Sequence, residues 1–358
     1  MARIRVLVVE DSATVRARLI EVLRSEESFE VVGAAENGRE GIELCRALRP
    51  DVVTMDMMMP EMTGLSATEY IMAYCPTPIL IVSSSVNRGE LFKTYEALAA
   101  GALDVLEKPT GEEPPGVWES GFLSSVRVVS RVRVITHPRA RMLERQGSPP
   151  ARSPASDAGS ARSPCRIVAI GASTGGPGAI VEILRGIPPG FDLPIVFVLH
   201  INATFGTAFA EWLDGQSPHR VSYATDGESL ALAAGRVVMA PPDRHLVIHN
   251  GRFRINRDPE RHSCRPSVDT LFESVAREYG PSASGYLLTG MGRDGAAGLL
   301  EIRRAGGRTV AQDEASSVVY GMPHQAALLN AAERILPLSE IGPAITEVWH
   351  RQQAEPVA

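Results

Sequence analysis

Twice along this chain, short runs of aliphatic and β-branched residues alternate with amphipathic stretches of helical spacing. Val6-Leu7-Val8-Val9 is followed by Ala13 to Arg24, with Val15, Leu19, Val22 and Leu23 on one helical face. Phe29 to Val32, Asp51 to Met55, Pro78 to Val82 and Ala102 to Leu106 continue the strand series, with a second helix over Gly38 to Leu48. After residue 164 the pattern resumes with Cys165 to Ile170, Pro194 to Leu199, Arg236 to Ala240 and Tyr286 to Leu288. Strands alternating with helices in this way predict a parallel sheet covered on both faces. His245 to Arg254 instead reads as a hairpin turning on Asn250-Gly251. Two doubly wound α/β domains are expected, the first five-stranded, the second mostly parallel with a β-hairpin.

Between the two series, the segment 138–164 is rich in Ser, Pro, Ala and Arg and nearly lacks large apolar side chains. It cannot offset its own ordering entropy and reads as a linker, its arginines keeping it solvated. The division expected is residues 1–136, a linker over 137–164, and a second domain over 165–350. A length of 358 residues gives each domain a core of ordinary size.

Composition excludes several classes. A net charge of −6 offers no basic field for nucleic acid. No segment reaches the roughly 18 to 20 apolar residues of a membrane helix, and no secretory leader is evident. Cys45, Cys75, Cys165 and Cys264 are scattered, which fits a reducing compartment. A cytoplasmic protein, monomeric and not inserted in a membrane, is the expectation.

In an open parallel sheet, functional groups collect outside the carboxyl ends of the strands. In the first half, Glu10 and Asp11 follow the first strand and Asp56 the third. Ser83-Ser84-Ser85 ends the fourth, and Lys108-Pro109 follows the fifth. Clustered carboxylates repel unless a cation joins them, and hard oxygen ligands suit Mg²⁺. An aspartate beside the metal can attack phosphorus, and the lysine and hydroxyl are suited to the phosphoryl oxygens.

In the second half, Gly171-Ala172-Ser173-Thr174-Gly175 fits a nucleophile turn, in which flanking glycines expose the serine and the next amide is available to an oxyanion. His200 ends the next strand, and Asp294 lies in Gly-Met-Gly-Arg-Asp-Gly. A dinucleotide site would need glycine where Ser173 stands and an acid where His200 stands. Nucleophile, base and orienting acid are therefore favoured over a nucleotide. Their order differs from that of α/β-hydrolases, as a convergent triad on another fold would. His245 and His249 share a strand face without an evident third metal ligand. Cys264, near His262, is read as part of a binding loop with Arg265 and Ser267 rather than as a thiol nucleophile.

The first half resembles a response-regulator receiver domain through Val8-Val9-Glu10-Asp11-Ser12, the stretch Asp56 to Gly64 and Glu107-Lys108-Pro109. That resemblance implies Asp56 as phosphoacceptor, Glu10, Asp11 and Asp56 as Mg²⁺ ligands, Lys108 as phosphate partner and Ser83 as the switch hydroxyl, with Ser84 as second choice. A chemotaxis-type histidine kinase is the implied phosphodonor. Residues 165 to about 345 resemble the catalytic domain of the chemotaxis protein-glutamate methylesterases. The matching stretches are 171–177, 240–246, 264–269, 288–295, 311–317 and 321–323. That resemblance implies hydrolysis of γ-glutamyl methyl esters on chemoreceptor cytoplasmic helices to glutamate and methanol, with deamidation of some glutamines.

Ser173, His200 and Asp294 become the catalytic set, with the amides of Thr174 and Met291 at the oxyanion and no cofactor for the ester chemistry. A non-catalytic receiver adaptor and a nucleotide-dependent oxidoreductase are the rival classes. The family usually follows its histidine with Met-Pro, whereas this chain has His200-Ile201-Asn202. The base is kept while the adjoining loop differs, a difference bearing on receptor preference rather than on chemistry.

Overall fold

The computed structural model describes residues 3–84, 87–109, 111, 113–132, 134 and 163–354; most of the expected linker lies outside these. The first half forms β1 (Ile4–Val9), α1 (Ala13–Arg24), β2 (Phe29–Ala35), α2 (Gly38–Leu48), β3 (Val52–Met55), α3 (Gly64–Tyr74), β4 (Ile79–Ser83), α4 (Arg88–Ala99), β5 (Asp104–Glu107) and α5 (Val117–Val129). Polar residues start four of the helices: Ser12, Asn37, Thr63 and Asn87 each accept from an amide in the first turn. The five strands are parallel in the order β2-β1-β3-β4-β5. Val6 and Val8 face one core while Leu7 and Val9 face another, so apolar residues at every position reflect burial on both faces.

The second half begins with β6 (Ile167–Ala172), α6 (Gly176–Gly186), β7 (Ile195–Leu199), α7 (Ala203–Gly206), α8 (Phe209–Gln216), β8 (Arg220–Tyr223) and β9 (Arg236–Met239). The hairpin β10 (His245–His249) and β11 (Arg252–Asn256) turns on Asn250 and Gly251, at φ 50° and 65°, the left-handed geometry that tight hairpins need. Next come α9 (Val268–Tyr279), β12 (Ala283–Leu287), α10 (Ala296–Arg304), β13 (Arg308–Gln312), α11 (Met322–Leu328), β14 (Arg334–Leu336) and α12 (Leu338–Ala354). Seven parallel strands lie in the order β14-β13-β12-β6-β7-β9-β8. After β6 the chain builds outward on the β7 side, then crosses to begin the other side at β12. The switch point thus falls between β6 and β12, where such sheets open a crevice beyond the strand ends.

One face of each sheet belongs to a single apolar cluster, in which Tyr95, Leu98 and Ala99 of α4 meet Ala179 of α6, Phe205, Phe209 and Trp212. Tyr95 is fully buried, its hydroxyl donates to the Phe205 carbonyl, and its ring meets Phe209 edge-on at 5.2 Å. Thr204 Oγ1 donates to Glu107 Oε2 at 3.1 Å, and the Gly175 amide donates to the Leu103 carbonyl at 3.3 Å. The two halves therefore share a seam that includes the turn after Ser173 and the loop after His200. Among the described residues, no helix is long and apolar enough to cross a membrane.

Candidate functional site

At the carboxyl end of the first sheet, Lys108 Nζ lies 2.9 Å from Glu10 and 3.0 Å from Asp56. Burial and the charge of Asp56 push the Glu10 carboxyl up to about 7, against the pull of Lys108. Burial likewise raises Asp56, and its buried Oδ2 has no hydrogen-bond partner. Oxygens of Glu10, Asp11 and Asp56 all lie within 4.8 Å of one another. Three converging carboxylates with an orphaned oxygen are the donor set a hard dication takes. Ser83 is buried close by, but its hydroxyl donates to Glu90 Oε1 at 2.8 Å, as does that of Ser84 at 2.7 Å. In this state both hydroxyls are turned to Glu90 rather than to Asp56.

In the second sheet, Ser173, His200 and Asp294 follow β6, β7 and β12, three neighbouring strands. His200 Nε2 lies 2.9 Å from Asp294 Oδ2. Asp294 is 2% exposed and also accepts from the Val268 amide at 2.7 Å, the Asp269 amide at 3.1 Å and the Ser267 hydroxyl at 2.8 Å. Burial raises its carboxyl, but the bonds from His200, the Asp269 amide and Ser267 outweigh that and hold it below the usual range. The N-terminus of α9 thus stabilises the aspartate as an anion.

Ser173 is half-buried on the sharp turn between β6 and α6. Gly175 makes that turn at φ 77°, where a Cβ would stand 2.5 Å from Val318. Gly290 is required for a different reason. A Cβ there would fall 2.7 Å from that of Ser173 and 2.3 Å from Met322 Sδ. The Ser173 carbonyl accepts from the Gly176 amide at 2.7 Å, so the trans peptide directs the Thr174 N–H to the opposite side. Neither the Thr174 nor the Met291 amide donates to a protein acceptor among the described residues. Met291 itself is exposed.

With Nε2 committed to Asp294, Nδ1 is the His200 nitrogen left to accept a serine proton. No hydrogen bond joins it to Ser173. Its neighbour is Cys264, whose Sγ lies 3.8 Å from Nδ1. Burial lowers the His200 pKa, but Asp294 and Cys264 outweigh it and push the ring up to about 9.

Cys264 therefore sits against His200, where the sequence had suggested membership of a binding loop. Arg265 turns instead to Asp243, at 2.7 Å. Ser267 supports Asp294, and Gln312 Oε1 receives the Thr289 amide at 2.8 Å while the Thr289 hydroxyl donates to the Thr174 carbonyl at 2.9 Å. Cys-Arg-Pro-Ser-Val-Asp and Ala-Gln-Asp-Glu carried these residues in sequence, but nothing local revealed their partners. His245 has both nitrogens occupied, by the Pro259 carbonyl and the Ser267 amide, and it enters no metal-ligand cluster among the described residues.

The CheB methylesterase family matches residues 168–345, and the response regulator receiver domain family matches residues 6–114. A "Protein-glutamate methylesterase/protein-glutamine glutaminase 2" of Anaeromyxobacter dehalogenans is 45% identical over 96% of this chain and 97% of its own length. Number 4 of that name in Myxococcus xanthus is 41% identical over 97% of each chain. The crystal structure of the Thermotoga maritima CheB methylesterase catalytic domain is 34% identical, with a TM-score of 0.49, over 51% of this chain and 98% of its own. With both domain families present in this order and full-length relatives above 40% identity, the chain belongs to the CheB methylesterase family, in the form that carries a receiver domain ahead of the hydrolase domain.

Proposed function

We propose that this protein is a phosphorylation-activated serine hydrolase that demethylates γ-glutamyl methyl esters on the cytoplasmic helices of chemoreceptors and deamidates selected glutamines there. The receiver would span residues 1–136, the linker 137–164 and the esterase 165–350. The observation that carries the reading is the His200–Asp294 pair at 2.9 Å beside the Ser173 turn, at the switch point of the sheet. Family membership supports hydrolysis over a non-catalytic adaptor.

The Ser173 hydroxyl attacks the ester carbonyl while His200 Nδ1 takes its proton, and Asp294 stabilises the imidazolium. The amides of Thr174 and Met291 hold the tetrahedral oxyanion. Collapse breaks the ester C–O bond (the C–N bond of a glutamine), and His200 gives its proton to the leaving group, releasing methanol (or ammonia). Water, activated by the same imidazole, then releases the glutamyl product and restores Ser173.

In the receiver, Glu10, Asp11 and Asp56 would hold Mg²⁺, which neutralises charge during phosphoryl transfer from a histidine kinase. Asp56 accepts the phosphoryl group, Lys108 pairs with it, and Ser83 exchanges Glu90 for a phosphoryl oxygen. The docked receiver restrains the hydrolase, because its Leu103 carbonyl and Glu107 bond to the segments beside Ser173 and His200. Phosphorylation of Asp56 loosens this docking.

The test is methanol release from methylated receptor fragments, with and without acetyl phosphate and Mg²⁺. Wild type should release methanol and be stimulated by the phosphodonor. Ser173→Ala should fall by on the order of 10⁶, and Asp56→Ala should lose the stimulation alone. Release that persists in Ser173→Ala would remove the serine mechanism.

A further inference from the structure

A second cleft, of about 650 Å³, is lined by His262, Ser263, Gly292, Arg293 and Gln325. Two of its lining residues adjoin the catalytic cluster along the chain. Arg293 directly precedes Asp294, and Ser263 directly precedes Cys264, whose Sγ faces His200.

Arg293 is exposed, and its Nε donates to His262 Nδ1 at 3.2 Å. An accepting Nδ1 leaves the ring proton on Nε2, which lies 3.2 Å from the fully buried carboxylate of Asp269. Asp269 is itself anchored by the Gly298 amide at 2.6 Å. This relay tethers one edge of the guanidinium. Its two terminal NH₂ groups have no protein partner among the described residues. A guanidinium fixed by Nε and open at its terminal nitrogens presents a planar fork, which matches both oxygens of a carboxylate.

We propose that Arg293 forms a carboxylate subsite that reads an ionised glutamate one helical turn from the scissile ester. The inference rests on the esterase reading and adds a specificity determinant to it. On a helix, residues three or four apart lie about 5–6 Å from each other on one face, so an ester at the catalytic crevice brings such a neighbour to the adjoining cleft. A methylated neighbour lacks the charge and the second free oxygen. Where two esters stand one turn apart, demethylation of one creates the group that favours cleavage of the other.

The experiment uses the full chain with acetyl phosphate and Mg²⁺. Its probes are synthetic helical peptides bearing one γ-glutamyl methyl ester, with Glu, Gln or Lys four residues away. Wild type should prefer the Glu peptide to the Gln peptide roughly tenfold in kcat/KM, mostly through KM, as expected for a charged hydrogen bond at a half-open site. Arg293→Gln should flatten the ratio, Arg293→Lys should keep part of it, and Arg293→Glu should shift the preference to the Lys peptide. Such charge-swap rescue would not follow from damage to the loop. Equal wild-type rates on the Glu and Gln peptides, or an unchanged ratio in Arg293→Gln, overturn the subsite alone. Absence of methanol from every peptide overturns the esterase reading and the subsite with it.

Discussion

The electrostatics of His200 decide when the proposed base is available. Burial opposes its charge, yet Asp294 and Cys264 together push its pKa from 6.5 up to about 9. A general base must be neutral, so kcat/KM of the unphosphorylated enzyme should climb with pH through an inflection near 9. The stability contribution has the opposite slope. The imidazolium–carboxylate pair contributes fully below the unfolded pKa of 6.5 and is lost as pH rises through 9. Cys264→Ala removes one of the raising influences, so the activity inflection should move to lower pH. A pH–rate profile of both proteins checks this, and coincident profiles would mean that the thiol does not influence the base. Residue types at strand ends were enough to nominate Ser173, His200 and Asp294. The approach of Cys264 to Nδ1 was not legible, because it joins residues 64 positions apart across two loops.

At the scale of elements, the start of α9 holds the aspartate. Ser267 both caps the helix, through the Thr270 amide at 3.3 Å, and donates to Asp294 at 2.8 Å. Ser267→Ala should lower stability by about 1–2 kcal/mol and reduce methanol release by roughly tenfold, while Ser267→Thr should restore much of both. Urea unfolding beside the activity assay separates the two effects, and full activity in the alanine variant would argue against the support role. The α1 and α2 limits and the hairpin turn were legible because helical period and Asn-Gly turn chemistry are local properties. The short strands β8, β13 and β14 were not anticipated. Three to five residues such as Arg334-Ile335-Leu336 carry too little periodicity, and only pairing with neighbouring strands makes them sheet.

At the scale of the whole molecule, the receiver and the hydrolase meet along α4 and β5. The loop His200-Ile201-Asn202, where the sequence departs from the usual His-Met-Pro, leads directly into the residues that touch the receiver through Thr204 and Phe205. Truncating Tyr95 removes its bond to the Phe205 carbonyl and its packing on Phe209 and Trp212, a loss of about 3–5 kcal/mol of buried contact. Tyr95→Ala should therefore raise methanol release without phosphodonor and shrink the stimulation by acetyl phosphate. An unchanged stimulation ratio would mean that this seam is not the brake.

The sequence by itself determined two α/β units, the strand ends where chemistry collects and the residue types gathered there. Those properties follow from the period of apolar side chains and from the turn preferences of glycine, both written within a few neighbouring residues. Tertiary structure decided which nitrogen of His200 meets Asp294, that Cys264 faces the other, that Ser83 turns to Glu90 and that the receiver touches the turn beside Ser173. These are choices between groups far apart in the chain, as the 94-residue separation of His200 and Asp294 illustrates. Only strand order and close packing bring such groups within bonding distance.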